Sequence, residues 1–257
     1  MLEICNLGIK GRLAPLNWHC VIPGLIALIG PNGSGKSTLL SALANLVAAD
    51  GRVRLQQLSL LDLDMEAAAR VRAMLPQRSD SLLPISCLDV IRLGACMLGA
   101  SESQIRLVLT ELVTRLELTP LLGRDFCQLS GGEQQRVLLA KTLLQIWPTL
   151  NPQGRLLLLD EPLAGLDWHH QLQLLQLLRE LVARGVLIIF SVHDFNLALA
   201  HADGVLCLRE GELVAHGAVS VLDADLLARV FQIRTAQLIH EGRSFFMPLG
   251  VTTRLAN

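Results

Sequence analysis

The chain has 257 residues, enough for one large domain or for one domain with an added lobe. Its 22 basic and 23 acidic residues nearly balance, which argues against a broad basic face for nucleic acid. Hydrophobic residues make up 51% of the chain, yet no apolar run approaches the roughly 20 residues of a membrane-spanning helix. The N-terminus lacks a signal-peptide pattern, and the six scattered cysteines favour reduced thiols in a cytosolic protein over a metal site.

The first part of the chain reads as strands with two helices. Alternation and turn signals predict strands over residues 3–7, 15–22 and 25–29, then a helix that extends to about residue 47. An edge strand over 52–55, a short helix over 65–72 and a strand over 71–76 follow. The run 25–29 is apolar throughout, as in a parallel strand covered on both faces.

The character of the sequence changes between residue 77 and about residue 150, where apolar residues take helical spacing, notably over 91–98 and 104–116. Strands return at 156–159 and 186–190, with a helix over 171–183 between them. A hairpin (205–208 and 213–215), a helix (224–231) and a second hairpin (236–239 and 244–247) end the chain. We therefore predict an α/β protein: a core over 1–77 and 151–257 with a mostly parallel sheet, and an inserted helical lobe over 78–150.

A glycine-rich loop joins the strand 25–29 to the following helix. Strand, glycine loop with Lys-Ser, then helix is the context that a phosphate-binding P-loop requires. Its glycines let backbone N–H groups point at phosphate oxygens, and the helix adds its positive end. Lys36 would reach the outer phosphates and Ser37 would bind Mg²⁺. The predicted nucleotide-binding residues are Gly30, Pro31, Asn32, Gly33, Ser34, Gly35, Lys36, Ser37 and Thr38.

Two carboxylates follow the apolar strand 156–159. Ligands of open α/β sheets lie at the carboxyl ends of strands, so Asp160 and Glu161 should lie beside the phosphate site. Asp160 would hold Mg²⁺, directly or through water. Glu161 would polarise the water that attacks the γ-phosphate.

A second glycine-containing loop precedes another helix at Ser130, Gly131, Gly132 and Glu133. Ser130 and Glu133 fit a capping box, and the helix start is also a second anion site. One nucleotide cannot easily use both loops of one chain. The simplest interpretation is that this loop completes the site of a partner chain.

With these motifs the chain resembles the ATP-binding cassette (ABC) family over nearly its whole length. Six motifs stand in the family's order: the P-loop, Gln77, the signature at 129–135, Asp160 with Glu161, the D-loop at 164–167 and the H-loop at 191–194. The resemblance implies a P-loop NTPase cassette with an antiparallel β subdomain, and a homodimer that binds two ATP head to tail. Each ATP would lie between one P-loop and the other chain's signature.

The resemblance also assigns roles. Gln77 would sense Mg²⁺ and the attacking water, and with Ser37 and Asp160 would form the Mg²⁺ set. His193 would contact the γ-phosphate and hold Glu161 in line, and Asp167 would communicate across the dimer. The family gives no role to His169, His170 and His201, which we interpret as surface or packing residues.

One departure concerns the base. The family usually stacks adenine on an aromatic residue of the N-terminal strands, but residues 8–13 contain none. Trp18 is as well explained by core packing, and Arg12 could stack through its guanidinium plane. We therefore expect weak selectivity for the base.

Within the family, the chain most resembles the ATPase subunits of bacterial vitamin B12 importers, through residues 12–16, 144–154 and the C-terminal hairpin. The partners would be two multi-span permease subunits and, indirectly, a periplasmic binding protein, with the chain peripheral on the cytoplasmic face of the inner membrane. A permease would dock on the apolar segment 82–87. Siderophore and haem importers have related cassettes, and a soluble ABC ATPase without a transport role is an alternative of another class.

Overall fold

A computed structural model describes residues 1–77 and 84–251. Its strands are β1 (Leu2–Ile9), β2 (Leu13–Cys20), β3 (Leu25–Ile29), β4 (Asp50–Leu55), β5 (Leu58–Ser59), β6 (Arg72–Leu75), β7 (Leu156–Leu159), β8 (Leu187–Ser191), β9 (Gly204–Arg209), β10 (Glu212–Ala218), β11 (Ile233–His240) and β12 (Arg243–Val251). Its helices are α1 (Lys36–Leu43), α2 (Met65–Val71), α3 (Cys87–Arg92), α4 (Glu102–Arg115), α5 (Gly131–Ile146), α6 (Trp168–Ala183), α7 (Phe195–His201) and α8 (Ala224–Phe231).

The central sheet has six strands in the order β10-β9-β3-β8-β7-β6. All pairs from β9 to β6 are parallel, and β10 pairs with β9 antiparallel, so the predicted mostly parallel sheet is confirmed. Alternate residues of the inner strands enter two different cores: Leu157 and Leu159 of β7 pack on one face, Leu156 and Leu158 on the other. Burial on both faces explains why these strands are uniformly apolar.

A separate antiparallel sheet has the strand order β2-β1-β4-β5. It packs with α1 in the core that contains Leu156 and Leu158, which we call the second core. Trp18 of β2 is buried there, as core packing predicted. The prediction of an edge strand over 52–55 is wrong, because β4 pairs with β1 on one side and with the two-residue β5 on the other. The exposed charged residues Arg52 and Arg54 had suggested an edge.

Helices α3 to α5 come between β6 and β7 in the sequence. They pack on one face of the central sheet, in the core that contains Leu157 and Leu159, which we call the first core. The predicted helix 104–116 corresponds to α4, but the helix over 91–98 is misplaced. Helix α3 begins earlier because the Ser86 hydroxyl caps the Asp89 N–H at 3.1 Å. It is followed by a tight turn in which Gly94 lies against the backbone of Lys141. A Cβ atom on residue 94 would lie only 2.1 Å from the Lys141 carbonyl oxygen. In the docking segment, residues 82 and 83 lie outside the described residues.

Two other helix ends and one additional helix differ from prediction, and side-chain hydrogen bonds explain them. Helix α1 stops at Leu43, well before residue 47, because Asn45 takes a left-handed conformation and donates to the carbonyls of Leu61 and Leu63, at 3.3 Å each. Helix α6 begins before residue 171 because Asp167 caps it. Helix α7 was not predicted; Asp194 caps it. Helix α8 and both C-terminal hairpins are confirmed.

Candidate active site

The glycine loop connects β3 to α1 and lines a cavity of about 590 Å³. Gly30 has φ +153°, and a Cβ there would lie 2.2 Å from the Leu208 carbonyl oxygen, so only glycine fits. Gly35 has φ +101° and directly precedes α1. The lining comprises Gly11, Arg12, Asn32, Gly33, Ser34, Gly35, Lys36, Ser37, Thr38, Gln77, Glu161, His193, Glu210 and Gly211. The sequence-predicted loop therefore meets Gln77, Glu161 and His193 in one cavity.

Lys36 is buried, and its Nζ donates to the carbonyl oxygens of Gly30 at 2.8 Å and Pro31 at 3.0 Å. Burial lowers the pKa of Lys36, while the charges of Glu161 and Asp160 oppose that shift. Ser34 Oγ is also buried and has no hydrogen-bond partner within the described ranges 1–77 and 84–251. A buried hydroxyl without a partner costs free energy, so it fits a loop that receives a polar ligand.

Glu161 receives two side chains that the sequence predicted to act with it. Its Oε1 accepts from Gln77 Nε2 at 2.8 Å and lies 2.8 Å from His193 Nε2. An ionised carboxylate only accepts, so His193 Nε2 is the nitrogen that carries a proton. Glu161 has φ +50°, a left-handed conformation that is uncommon outside glycine and is found at functional sites.

Ser191, at the end of β8, contacts the Asp160 carboxylate and the backbone of Glu161. Its Oγ accepts the Glu161 backbone N–H at 2.7 Å and donates to Asp160 Oδ1 at 2.6 Å. Ser191 and Asp160 are almost fully buried. Sequence reasoning placed Ser191 in the 191–194 motif but gave it no role. The signal was its position at a strand end beside the strand that carries Asp160.

The signature residues lie elsewhere. Ser130, Gly131, Gly132 and Glu133 begin α5 and do not line the cavity. The predicted capping box is confirmed: Ser130 N–H donates to Glu133 Oε2 at 2.8 Å, and Glu133 N–H donates to Ser130 Oγ at 3.4 Å. Gly131 is exposed, and nothing lies within 4 Å of a Cβ built there.

Helix α5 nevertheless contacts the segment that follows Glu161. Gln135 Nε2 donates to the carbonyls of Glu161 at 3.2 Å and Pro162 at 3.3 Å. A Cβ on Gly132 would lie 2.6 Å from the Gly165 carbonyl oxygen. Asp167 ends this segment as the cap of α6, outside the cavity.

The β9–β10 turn braces the cavity wall next to Arg12. Gly211 N–H donates to the Ser34 carbonyl at 3.0 Å, and the Gly211 carbonyl accepts from Ala14 N–H at 2.8 Å. Arg12 lines the cavity, and the described residues that line it include no Phe, Tyr or Trp.

Comparisons with known proteins show the family and the fold. The family profile described as "ABC transporter" matches residues 13–164, more than half of the chain. The chain belongs to the ABC transporter family. The vitamin B12 import ATP-binding protein BtuD of Photobacterium profundum is 35% identical over 95% of this chain and 97% of its own. BtuD of Yersinia enterocolitica is 40% identical over 91% and 92%.

Solved structures give the same fold. An inward-facing ABC transporter described as of the metal-chelate type has a TM-score of 0.76 and 26% identity, covering 96% of each chain. The dimeric structure of a bacterial ABC transporter cassette has a TM-score of 0.73 and 25% identity, covering 85% of this chain and 99% of its own. The predicted cassette fold and ATPase class are thus confirmed. Across residues 1–77 and 84–251, none of the cassette's helices has the length and apolar character to cross a membrane.

Proposed function

We propose that this ABC cassette hydrolyses ATP to drive import of vitamin B12, and that it works as a head-to-tail pair. The observation that carries the catalytic part is the placement of Glu161. Gln77 and His193 both contact Glu161 Oε1 at the wall of the P-loop cavity. This arrangement supports a hydrolase rather than a passive nucleotide binder, because it orients a carboxylate toward the space that phosphate would fill.

In the proposed reaction, backbone N–H groups of the loop and the start of α1 hold the phosphates. Lys36 gives up its contacts with the carbonyls of Gly30 and Pro31 and turns its ammonium to the outer phosphates. Glu161 orients the attacking water and accepts its proton, and the His193 Nε2–H, which donates to Glu161 in this structure, turns to a γ-phosphate oxygen. Catalysis is then positioning and charge stabilisation around an in-line transfer to water.

Mg²⁺ fits the oxygen donors around the cavity. Two candidate ligands line the cavity: the Ser37 hydroxyl and the side-chain oxygen of Gln77, whose nitrogen already contacts Glu161. The third, the Asp160 carboxylate, is buried at the end of β7 and is not part of the cavity lining. Hard oxygen ligands of this kind suit Mg²⁺. Bound there, the ion would neutralise phosphate charge. Ser191 keeps Asp160 in place for this role.

The position of the signature supports the proposed head-to-tail pair. Ser130 to Glu133 lie outside the cavity of their own chain, and Gly131 is exposed. A second copy that presents this helix start to the nucleotide would add N–H donors opposite the P-loop. A similar cassette has been solved as a dimer.

The relatives support vitamin B12 as the proposed substrate. The curated relatives at 35% and 40% identity are named vitamin B12 import ATP-binding proteins. An iron-siderophore or haem importer is the second candidate, favoured by the structural neighbour of the metal-chelate type. We further propose two multi-span permease subunits, an indirect periplasmic binding protein, a peripheral place on the cytoplasmic face of the inner membrane, and the division into a core (1–77, 151–257) and a lobe (78–150).

Glu161→Gln tests the catalytic assignment. The amide cannot take a proton, so we expect phosphate release to fall at least about 100-fold while ATP still binds and the closed pair accumulates. Phosphate release and gel filtration with ATP measure the two effects. Glu210→Gln at the same cavity wall is the control. Wild-type turnover in Glu161→Gln would overturn the role of Glu161.

Transport is tested in a bacterium that lacks its own B12-import ATPase. The chain is expressed with the permease encoded beside it, and uptake of labelled B12 is compared with uptake of a labelled ferric siderophore. We expect B12 uptake with the wild type and none with Lys36→Ala. Siderophore uptake alone would favour the second candidate, and ATPase activity without any uptake would favour a soluble ATPase.

A further inference from the structure

His170 lies in the first turn of α6 and joins two segments of the cassette that are distant in sequence. Its Nδ1 is 2.8 Å from Asp167 Oδ1, and its backbone N–H donates to the same oxygen at 2.9 Å. On the other side of the ring, Nε2 is 3.0 Å from Nη1 of Arg136, a residue of α5. The ring is mostly enclosed, with 16% of the side chain exposed. It therefore bridges the D-loop and the helix that begins with the signature.

The hydrogen-bonding groups of Arg136 and Asp167 determine which ring nitrogen of His170 carries the proton. An arginine side chain only donates, so His170 Nε2 acts as the acceptor for Arg136. The proton then resides on Nδ1, which donates to the Asp167 carboxylate. These hydrogen bonds from His170 lower the pKa of Asp167. Arg136 is held in turn by the carbonyls of Leu116 at 3.1 Å and Glu117 at 3.3 Å, just after α4.

The same two segments also meet at a second place. Gly132 packs against the Gly165 carbonyl, and Gln135 donates to the carbonyls of Glu161 and Pro162. These contacts hold the beginning of the 161–167 segment against α5. His170 holds its end, so the segment is attached to α5 at both ends.

We propose that His170 is a positioning residue that makes the signature helix and the D-loop move as one unit when a second copy of the chain brings its ATP to the signature. The inference rests on the proposed head-to-tail pair. Through the bridge, contact of Ser130 to Glu133 with the partner's nucleotide would set Asp167, and through the 161–167 segment it would also set Glu161. Neither the motifs nor the family resemblance gives His170 this role.

His169 provides a matched control beside it. Its side chain is 65% exposed, and its Nε2 lies 3.1 Å from Glu117 Oε1 and 2.9 Å from Gln173 Nε2. It contacts neither Asp167 nor Arg136 in the described structure. A role that belongs to any histidine at the start of α6 would affect both positions, whereas the bridge affects only His170.

The first experiment needs no catalysis. Hydrogen exchange of the nucleotide-free full chain is compared for the wild type, His170→Ala and His169→Ala. We expect His170→Ala to speed exchange of the backbone amides around 163–170 and 131–136 by about tenfold, because loss of the bridge allows local opening. His169→Ala should leave both regions unchanged. Unchanged exchange in His170→Ala would overturn the inference whether or not the chain hydrolyses ATP.

The second experiment separates the bridge from simple capping. With ATP, His170→Ala should lower kcat about tenfold and leave KM within about twofold, since the P-loop is untouched. His170→Asn keeps a polar group near Nδ1 for Asp167, and His170→Gln keeps an acceptor near Nε2 for Arg136. We expect neither to restore the wild-type rate, and full recovery in His170→Asn would overturn the bridge. A wild-type chain without ATPase activity would instead contradict the proposed function.

Discussion

Two helices of this cassette begin after glycine-bearing loops, and their beginnings are built differently. Helix α1 follows Gly35, which has no side chain to cap the first amides, and the loop encloses the buried Lys36 and Ser34. Helix α5 follows Ser130, whose side chain and Glu133 cap each other, and Gly131 is exposed. The first start is therefore open toward its own cavity. The second is stable by itself and faces outward, as expected of a surface that meets another chain.

The largest expected effect comes from removing Lys36, the buried cation of the P-loop cavity. We expect Lys36→Ala to lower ATP hydrolysis at least about 100-fold, because the phosphates lose their buried positive charge. Binding of a fluorescent ATP analogue should weaken as well. Lys141→Ala, on the partly exposed side of α5, is the control and should bind and hydrolyse ATP normally. Normal binding in Lys36→Ala would mean that the phosphates lie elsewhere.

Gly132→Ala tests the outward-facing start. The new methyl group would meet the Gly165 carbonyl at 2.6 Å and push the 161–167 segment from α5. We expect hydrolysis to fall by about tenfold or more, while the ATP analogue binds the P-loop as before. Gly123→Ala, where nothing lies within 4 Å of the added atom, should hydrolyse normally. Equal loss of binding and hydrolysis in Gly132→Ala would show that the two helix starts are not separate sites.

Ser191→Ala tests how the two acidic residues beside the P-loop cavity are held in place. It removes the acceptor of the Glu161 N–H and the donor to Asp160, so a buried carboxylate and a backbone amide lose their partner. We expect a loss of about 1–3 kcal/mol in the free energy of unfolding, measured by urea denaturation, together with weaker Mg²⁺ dependence of hydrolysis. The exposed Ser220→Ala is the control. A variant as stable and as active as the wild type would contradict the role of Ser191.

The smallest expected effect concerns the nucleotide base. No Phe, Tyr or Trp stands among the described residues that line the cavity, and Arg12 can offer only its guanidinium plane. The wild type should therefore hydrolyse ATP and GTP within about threefold of each other, and Arg12→Ala should raise KM for both by a similar small factor. Arg54→Ala, exposed on β4, is the control. A strong preference of the wild type for ATP would refute weak base selectivity.

The sequence predicted the elements whose signals are local. The apolar run Leu25–Ile29 and the helix Ala224–Phe231 match their predicted bounds, because burial on both faces or helical spacing is visible in adjacent residues. The end of α1 and the beginning of α3 did not match. Asn45 ends α1 through contacts with Leu61 and Leu63, and Gly94 meets Lys141 across the helical lobe.

The functional residues show the same difference between local sequence signals and long-range contacts. Gln77, Glu161 and His193 were predicted together because each stands in a motif of recognisable spacing, and the structure places them around one cavity. The bridge from His170 to Arg136 spans 34 residues of sequence and belongs to no motif. Such a contact is set by how α5 and α6 pack, which single-sequence periodicity does not describe.

Strand β7 consists of four leucines, and all four are buried. A shift by one residue would keep leucine at three of the four positions and bring Arg155 or Asp160 into the fourth, so the leucines alone specify the pairing register only weakly. Polar side chains flank the leucines and favour one register, since Arg155 directly precedes them and Asp160 directly follows them. Asp160 also needs the Ser191 hydroxyl. The residue proposed to bind Mg²⁺ thus also helps to fix the register of β7, so replacing Asp160 with leucine would weaken the alignment of this strand as well as the binding of the ion.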